Sequence, residues 1–228
     1  MSEDLKKKIL STYKHECLEH SRRPSSIFKL CQGVGIREKD FYQHFSNFQS
    51  VEREVWKSLL NNTLKDLESD ETWADYSHRE KHLAFLFSWF ESLTDERSYI
   101  MILMNDDDWS HVMPTLKTLR KYFLTLVSPW TPPCQLDVDL PFELLEGLQQ
   151  EPMWWQFLFL MNYWKSDTSK GFQKTDVAIE KSTHLIFDLL EQKVFKSGLD
   201  FFKFVGGGLL EDMNSPMDMF RKFSKACS

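Results

Sequence analysis

SSIFKLCQGVGIREKDFYQHF, residues 25–45, decides the fold. It reads as two short helices joined by a tight turn. Ser25 or Ser26 is placed to cap the first helix with its hydroxyl oxygen. Ile27, Leu30 and Cys31 then recur at helical spacing on one face. Gly33 and Gly35 interrupt that pattern, and either suits the positive φ of a sharp helix–helix turn. Ile36 supplies an apolar plug behind the turn. A second short helix follows, roughly Arg37 to His44, and closes on Phe41, Tyr42, His44 and Phe45. This is the layout of a helix-turn-helix, whose second helix enters the major groove of DNA.

Gly35, Ile36 and the ending Tyr42-Gln43-His44-Phe45 sit at the offsets found in the N-terminal module of TetR-type transcriptional regulators, and the segment resembles that module. The resemblance implies an all-α chain with a three-helix DNA-binding head and a C-terminal helical bundle that binds a ligand and dimerises. It also implies a homodimer on a double-stranded DNA operator, with a small effector held in the body. In one respect the chain departs from the pattern. Asn47 and Phe48 stand where the family commonly opens its fourth helix with Ser-Lys, whose Lys lies against a phosphate.

Charge follows the same division. Residues 1–50 carry nine Lys/Arg and six Asp/Glu, a balance of +3, and the other 19 basic and 28 acidic residues leave −9. A basic head on an acidic body suits a DNA-facing module. On the recognition helix, Lys39 has the chemistry to reach guanine edges and Gln43 adenine edges. Tyr42 and the start of the preceding helix, at Ser25 and Ser26, suit phosphates. Arg37 and His44 bound the segment. Glu38 and Asp40 offset Arg37 and Lys39, and each phosphate-neutralising cation counts in affinity. A second reading therefore stands beside the first: a helical ligand-binding or interaction protein whose head no longer binds DNA.

Around this segment the chain reads as helices. Ile9, Tyr13 and Cys17 form an i, i+4, i+8 stripe on a helix over 5–20, broken by Ser21 to Pro24. Asn47 caps a helix over about 48–67 with Val51, Val55, Leu59, Thr63 and Leu67 on its apolar face. Further helices are expected over 78–93 (Leu83, Phe87, Phe90), 99–104, 112–127 (Leu116, Leu119, Phe123, Leu126), 142–148, 153–164, 175–196 and 199–205. The proline-rich run 128–141 is a break. The domains expected are a head (1–50), a body (51–205) and, after Gly206-Gly207-Gly208, a flexible tail (206–228).

The body is dense in aromatic and Met side chains. Phe87, Phe90, Met101, Met104, Phe123, Trp155, Phe159 and Tyr163 are candidates for an apolar effector pocket of about 300 Å³ or more; ordinary core packing is the other use of such residues. Ala178, Ser182, Ile186, Leu189 and Leu190 lie along one side of the 175–196 helix and are candidates for the dimer interface. No nucleophile–base pair is spaced for catalysis, so no enzyme is expected. Asp106-Asp107-Asp108 beside His111 reads as a solvated loop, so no metal or cofactor is expected. Cys17, Cys31, Cys134 and Cys227 are scattered, which suits reduced thiols. The N-terminus has no apolar signal region. The most apolar run, Met153 to Trp164, is too short to span a bilayer. A soluble cytoplasmic protein without membrane contact is the expectation.

Overall fold

The computed structural model describes residues 2–104, 109–132 and 142–191. The Asp106–Asp108 run, most of the proline-rich break, the end of the last long helix, the 199–205 helix and the tail lie outside the described residues. So do Cys134 and Cys227.

Among the described residues the regular structure is helical: α1 (Ser2–His20), α2 (Ile27–Val34), α3 (Glu38–Tyr42), α4 (Phe48–Glu68), α5 (His78–Asp95), α6 (Arg97–Leu103), α7 (Trp109–Val127), α8 (Phe142–Ser166) and α9 (Gln173–Glu191), with short 3-10 turns between some of them. The stripe on α1 does what its spacing requires, and Ile9, Tyr13 and Cys17 are fully buried. Ser26 caps α2 by accepting a hydrogen bond from the Lys29 amide at 3.2 Å. Gly35 ends it at φ 77°, in the left-handed region. The Gly35 and Ile36 amides bond back to the carbonyls of Gln32 (3.2 Å) and Cys31 (3.0 Å). That pair of bonds is the Schellman termination, and it needs the glycine. Asn47 and Ser50 cap α4 reciprocally, at 2.9 and 3.2 Å. Ser77 and Glu80 do the same for α5 (3.3 and 2.8 Å), as the Ser-x-x-Glu spacing dictates.

Helix α1 packs on α2, and α2 on α3. Helix α4 leaves this head and packs against α5 and α7, while α8 and α9 close the body over α5 and α7. The body core is aromatic. Trp89 lies against Trp56, Phe85 and Phe157, and Phe123 meets Phe157 at 4.5 Å between ring centres. Each such side chain, fully buried, contributes about 2–3 kcal/mol before entropy is counted. One polar cluster is enclosed with them. The Gln156 carboxamide oxygen meets His82 Nε2 at 3.0 Å, and its nitrogen donates to Ser182 and Thr183 at 2.9 Å each.

Three sequence expectations are corrected. The buried face of α4 is Val51, Glu52, Trp56, Leu60 and Thr63, one residue round from the expected stripe, and Val55, Leu59 and Leu67 are only half-buried. Phe87 faces outward on α5, whose buried face is set by His82, Phe85, Leu86, Trp89, Phe90 and Leu93. The segments 142–148 and 153–164 are one helix that runs through Pro152. Proline removes one backbone donor and costs about 3 kcal/mol in a helix interior. The burial of Met153, Trp154, Phe157, Leu160, Met161 and Trp164 offsets it.

Candidate functional site

In the head, α3 divides cleanly into two faces. Phe41 and Phe45 are buried against the core. Lys39, Tyr42 and Gln43, at i, i+3 and i+4, are exposed together, with Tyr42 at 52 %. The three residue types suited to base edges and phosphates thus share one solvent-facing strip. His44, next to Phe45, is half-buried, and Ser25 is exposed. Ser26 is half-buried and its hydroxyl is committed to the α2 cap. Arg37 is committed as well. Its Nε and Nη2 donate to the Asp40 carboxylate at 3.2 and 3.3 Å, and its backbone amide donates to the same group at 3.3 Å. The guanidinium holds the Asp40 carboxyl below the ordinary range. Arg37 is therefore a cation already paired with a carboxylate on the exposed side of α3.

Behind the head lies a buried ionic network. The Glu52 side chain, 1 % exposed, accepts from Tyr13 Oη at 2.7 Å and from Arg23 Nε at 2.6 Å. Arg23 Nη2 spans to the second Glu52 oxygen (3.4 Å) and to the Leu103 carbonyl (2.9 Å). Burial and then the Glu52 charge push the Tyr13 phenol well above its usual range, so it stays a donor. The same burial pushes the Cys17 thiol up to about 12, which makes it an inert core residue. Lys14 and Glu96 pair at 2.6 Å on the rim of this seam.

A cavity of about 210 Å³ opens beside the seam. Its wall includes Trp56 from α4, Leu103 and Met104 at the end of α6, Leu119 from α7, and Phe157 and Met161 from α8. Thr115, Asn162 and Lys165 supply polar groups, and Lys165 Nζ donates to the Met104 carbonyl at 3.1 Å. A cavity of about 150 Å³ accommodates benzene, so this one suits roughly eight non-hydrogen atoms. It is smaller than the sequence suggested and is walled differently. Of the eight expected lining residues it takes Met104. Phe90 and Phe123 belong to the closed core, Met101, Trp155 and Tyr163 are half-buried elsewhere, and Phe87 and Phe159 (53 %) are exposed. Trp56, Leu103, Leu119, Phe157 and Met161 line it without having been expected to.

On α9, Thr175, Ile179, Thr183 and Phe187 face the core. Ala178, Ser182, Ile186 and Leu190 form a half-buried flank. Leu189 is exposed, as are Val177 and Leu185 (59 %), neither of which was singled out from sequence. With Phe159 of α8, these residues leave apolar surface on the outer side of the α8–α9 layer. Asp167 ties the two helices by accepting from Ser169 and Thr175. Despite its burial, these bonds hold its carboxyl down at about 2. Among the described residues, His15, Glu16 and Glu19 bring ligand atoms within 4.8 Å of one another. They lie on the outer turns of α1, where i, i+4 pairs are ordinary solvated contacts. No described helix is long and apolar enough to cross a membrane.

Residues 81–205, most of the body, match the family model described as "Tetracyclin repressor-like, C-terminal domain". No curated protein is significantly similar to the chain.

Proposed function

Because the chain belongs to the tetracyclin repressor-like family, a family of regulators rather than enzymes, we propose that it is a DNA-binding transcriptional regulator whose affinity for an operator is set by a small apolar effector. The observation that carries this reading is the exposed Lys39–Tyr42–Gln43 strip on α3, held by a Gly35 turn whose opposite face is core. Lys39 and Gln43 read bases, while Tyr42, Ser25 and the amides around Ser26 hold phosphates, with Arg37 and His44 at the ends of the contact.

The body supports the other half of the proposal. Its cavity is apolar with three polar groups, the usual composition of an effector site. The occupant is a compact apolar molecule of about eight non-hydrogen atoms. Ala178, Ser182, Ile186, Leu189 and Leu190, joined by Val177 and Leu185, form the face on which two copies meet, and a two-fold dimer demands a two-fold operator. Such a protein works where DNA is, in the cytoplasm.

The Arg37–Asp40 pair favours the second reading, a head kept for structure alone. One experiment separates the two. Selection from a pool of random duplexes by the purified full chain should enrich a palindrome with half-sites about one helical turn apart. Recovery of no consensus, with the protein folded and dimeric, would favour the structural head.

A further inference from the structure

The Arg23–Glu52 pair lies where the head and the cavity wall share a bonded frame. An ion pair withdrawn from water is no gain over well-packed apolar side chains of the same volume, so its stability does not account for it. Its connections are more informative. Tyr13 belongs to α1, Glu52 to α4 and Arg23 to the segment that leads into α2. The fourth partner, the Leu103 carbonyl, belongs to α6. It is one of the C-terminal carbonyls that no α-helix satisfies internally. Leu103 also walls the cavity, and so does Trp56, one turn along α4 from Glu52. Between Arg23 and the Ser26 cap stands Pro24, which fixes its own φ and restricts the residue before it. A shift of Arg23 therefore passes into α2 with little slack.

Resting on the effector-controlled reading above, we propose that Arg23 is the positioning residue that couples the cavity to the head. An occupant that presses on the end of α6 moves the Leu103 carbonyl. Arg23 follows or lets go, and through Pro24 and the Ser26 cap it resets α2 and the α3 strip. The arrangement in this structure, with all four bonds made, is one of the two states. Because coupling is reciprocal, a head fixed on DNA alters the cavity by the same factor.

Hydrogen–deuterium exchange of the full chain, with and without p-xylene as the probe, tests this directly. In the wild-type protein, p-xylene should slow exchange at the cavity wall (residues 97–103 and 157–165). It should also change exchange across α2 and α3 by about fivefold or more. Arg23→Lys keeps the charge but cannot bridge Glu52 and the carbonyl together. Arg23→Met with Glu52→Gln removes the charge while leaving Tyr13 an acceptor. Either variant should keep the response at the wall and lose it in the head. Lys14→Gln, which removes the other tether between α1 and the start of α6, should lose neither. A head response that persists in both Arg23 variants, or a wild-type response confined to the wall, overturns the proposal and leaves the effector reading intact. No response at the wall overturns the effector reading, and the coupling falls with it.

Discussion

Glu52→Ala is the substitution whose cost the structure fixes most tightly. The carboxylate is 1 % exposed and holds Tyr13 Oη at 2.7 Å and Arg23 Nε at 2.6 Å. Its loss strands the guanidinium of Arg23, 18 % exposed, with only the Leu103 carbonyl for a partner. Breaking one half of a buried pair costs about 3–5 kcal/mol, because the remaining charge stays desolvated. For a chain of this size each kcal/mol lowers the melting temperature by about 2–4 °C, so a fall of roughly 10 °C follows. Lys6→Ala is the control. Its pair with Glu54, at 2.7 Å, is about a quarter exposed on each side, and its loss should cost about 0.5 kcal/mol. Arg23→Met with Glu52→Gln should return to within about 2 kcal/mol of wild type, since no charge is then left unpaired. Urea unfolding followed by far-ultraviolet circular dichroism measures all three. If Glu52→Ala costs no more than Lys6→Ala, the carboxylate is hydrated in the folded protein and the pair is not a buried one.

Other outcomes follow from the same structure. Burial pushes the His82 imidazole down from 6.5 to about 4, against the opposing bond from Gln156. A depressed folded value means stability that is complete above pH 6.5 and lost as pH falls toward 4, by on the order of 3 kcal/mol. His82→Gln should be flat across that window in pH-dependent urea melts, while Asp167, held at about 2, contributes only below it. Leu185→Glu, on the outward face of α9, should turn a particle of about twice 27.1 kDa into a monomer on sedimentation, with helicity unchanged; a wild-type monomer would remove the dimer. Asp40→Asn frees Arg37, so it should tighten binding to any duplex and steepen the salt slope by about one.

Much of the head was legible because its signals are local. The Ile9/Tyr13/Cys17 stripe, the caps at Ser26 and Asn47 and the Gly35 turn each act within four residues, and each holds in the structure. The face of α4 was misread because two stripes compete on it. Val51, Val55 and Leu59 look more apolar than Glu52, Trp56 and Leu60. The second stripe wins because Glu52 meets Tyr13 and Arg23, partners 39 and 29 residues away. No local pattern carries that information. Pro152 reads as a stop, yet α8 continues, since the burial beyond it outweighs one missing donor. The cavity was the least legible feature. Aromatic density marked the body, but packing sent Phe123 into the core and Phe159 to the surface, and left a wall that includes Trp56, Leu103, Phe157 and Met161.

On the proposed reading, the Lys39–Tyr42–Gln43 strip reads DNA. Fluorescence anisotropy of the full chain against its selected duplex and an unrelated one, over a range of salt, tests it most directly. The selected duplex should be bound about a thousandfold or more tightly than the unrelated one. Both affinities should fall as salt rises. Lys39→Ala should erode the preference by about 1–3 kcal/mol while leaving general affinity largely intact. Equal and feeble binding to both duplexes at low salt, by a folded dimer and unchanged by Lys39→Ala, would contradict it.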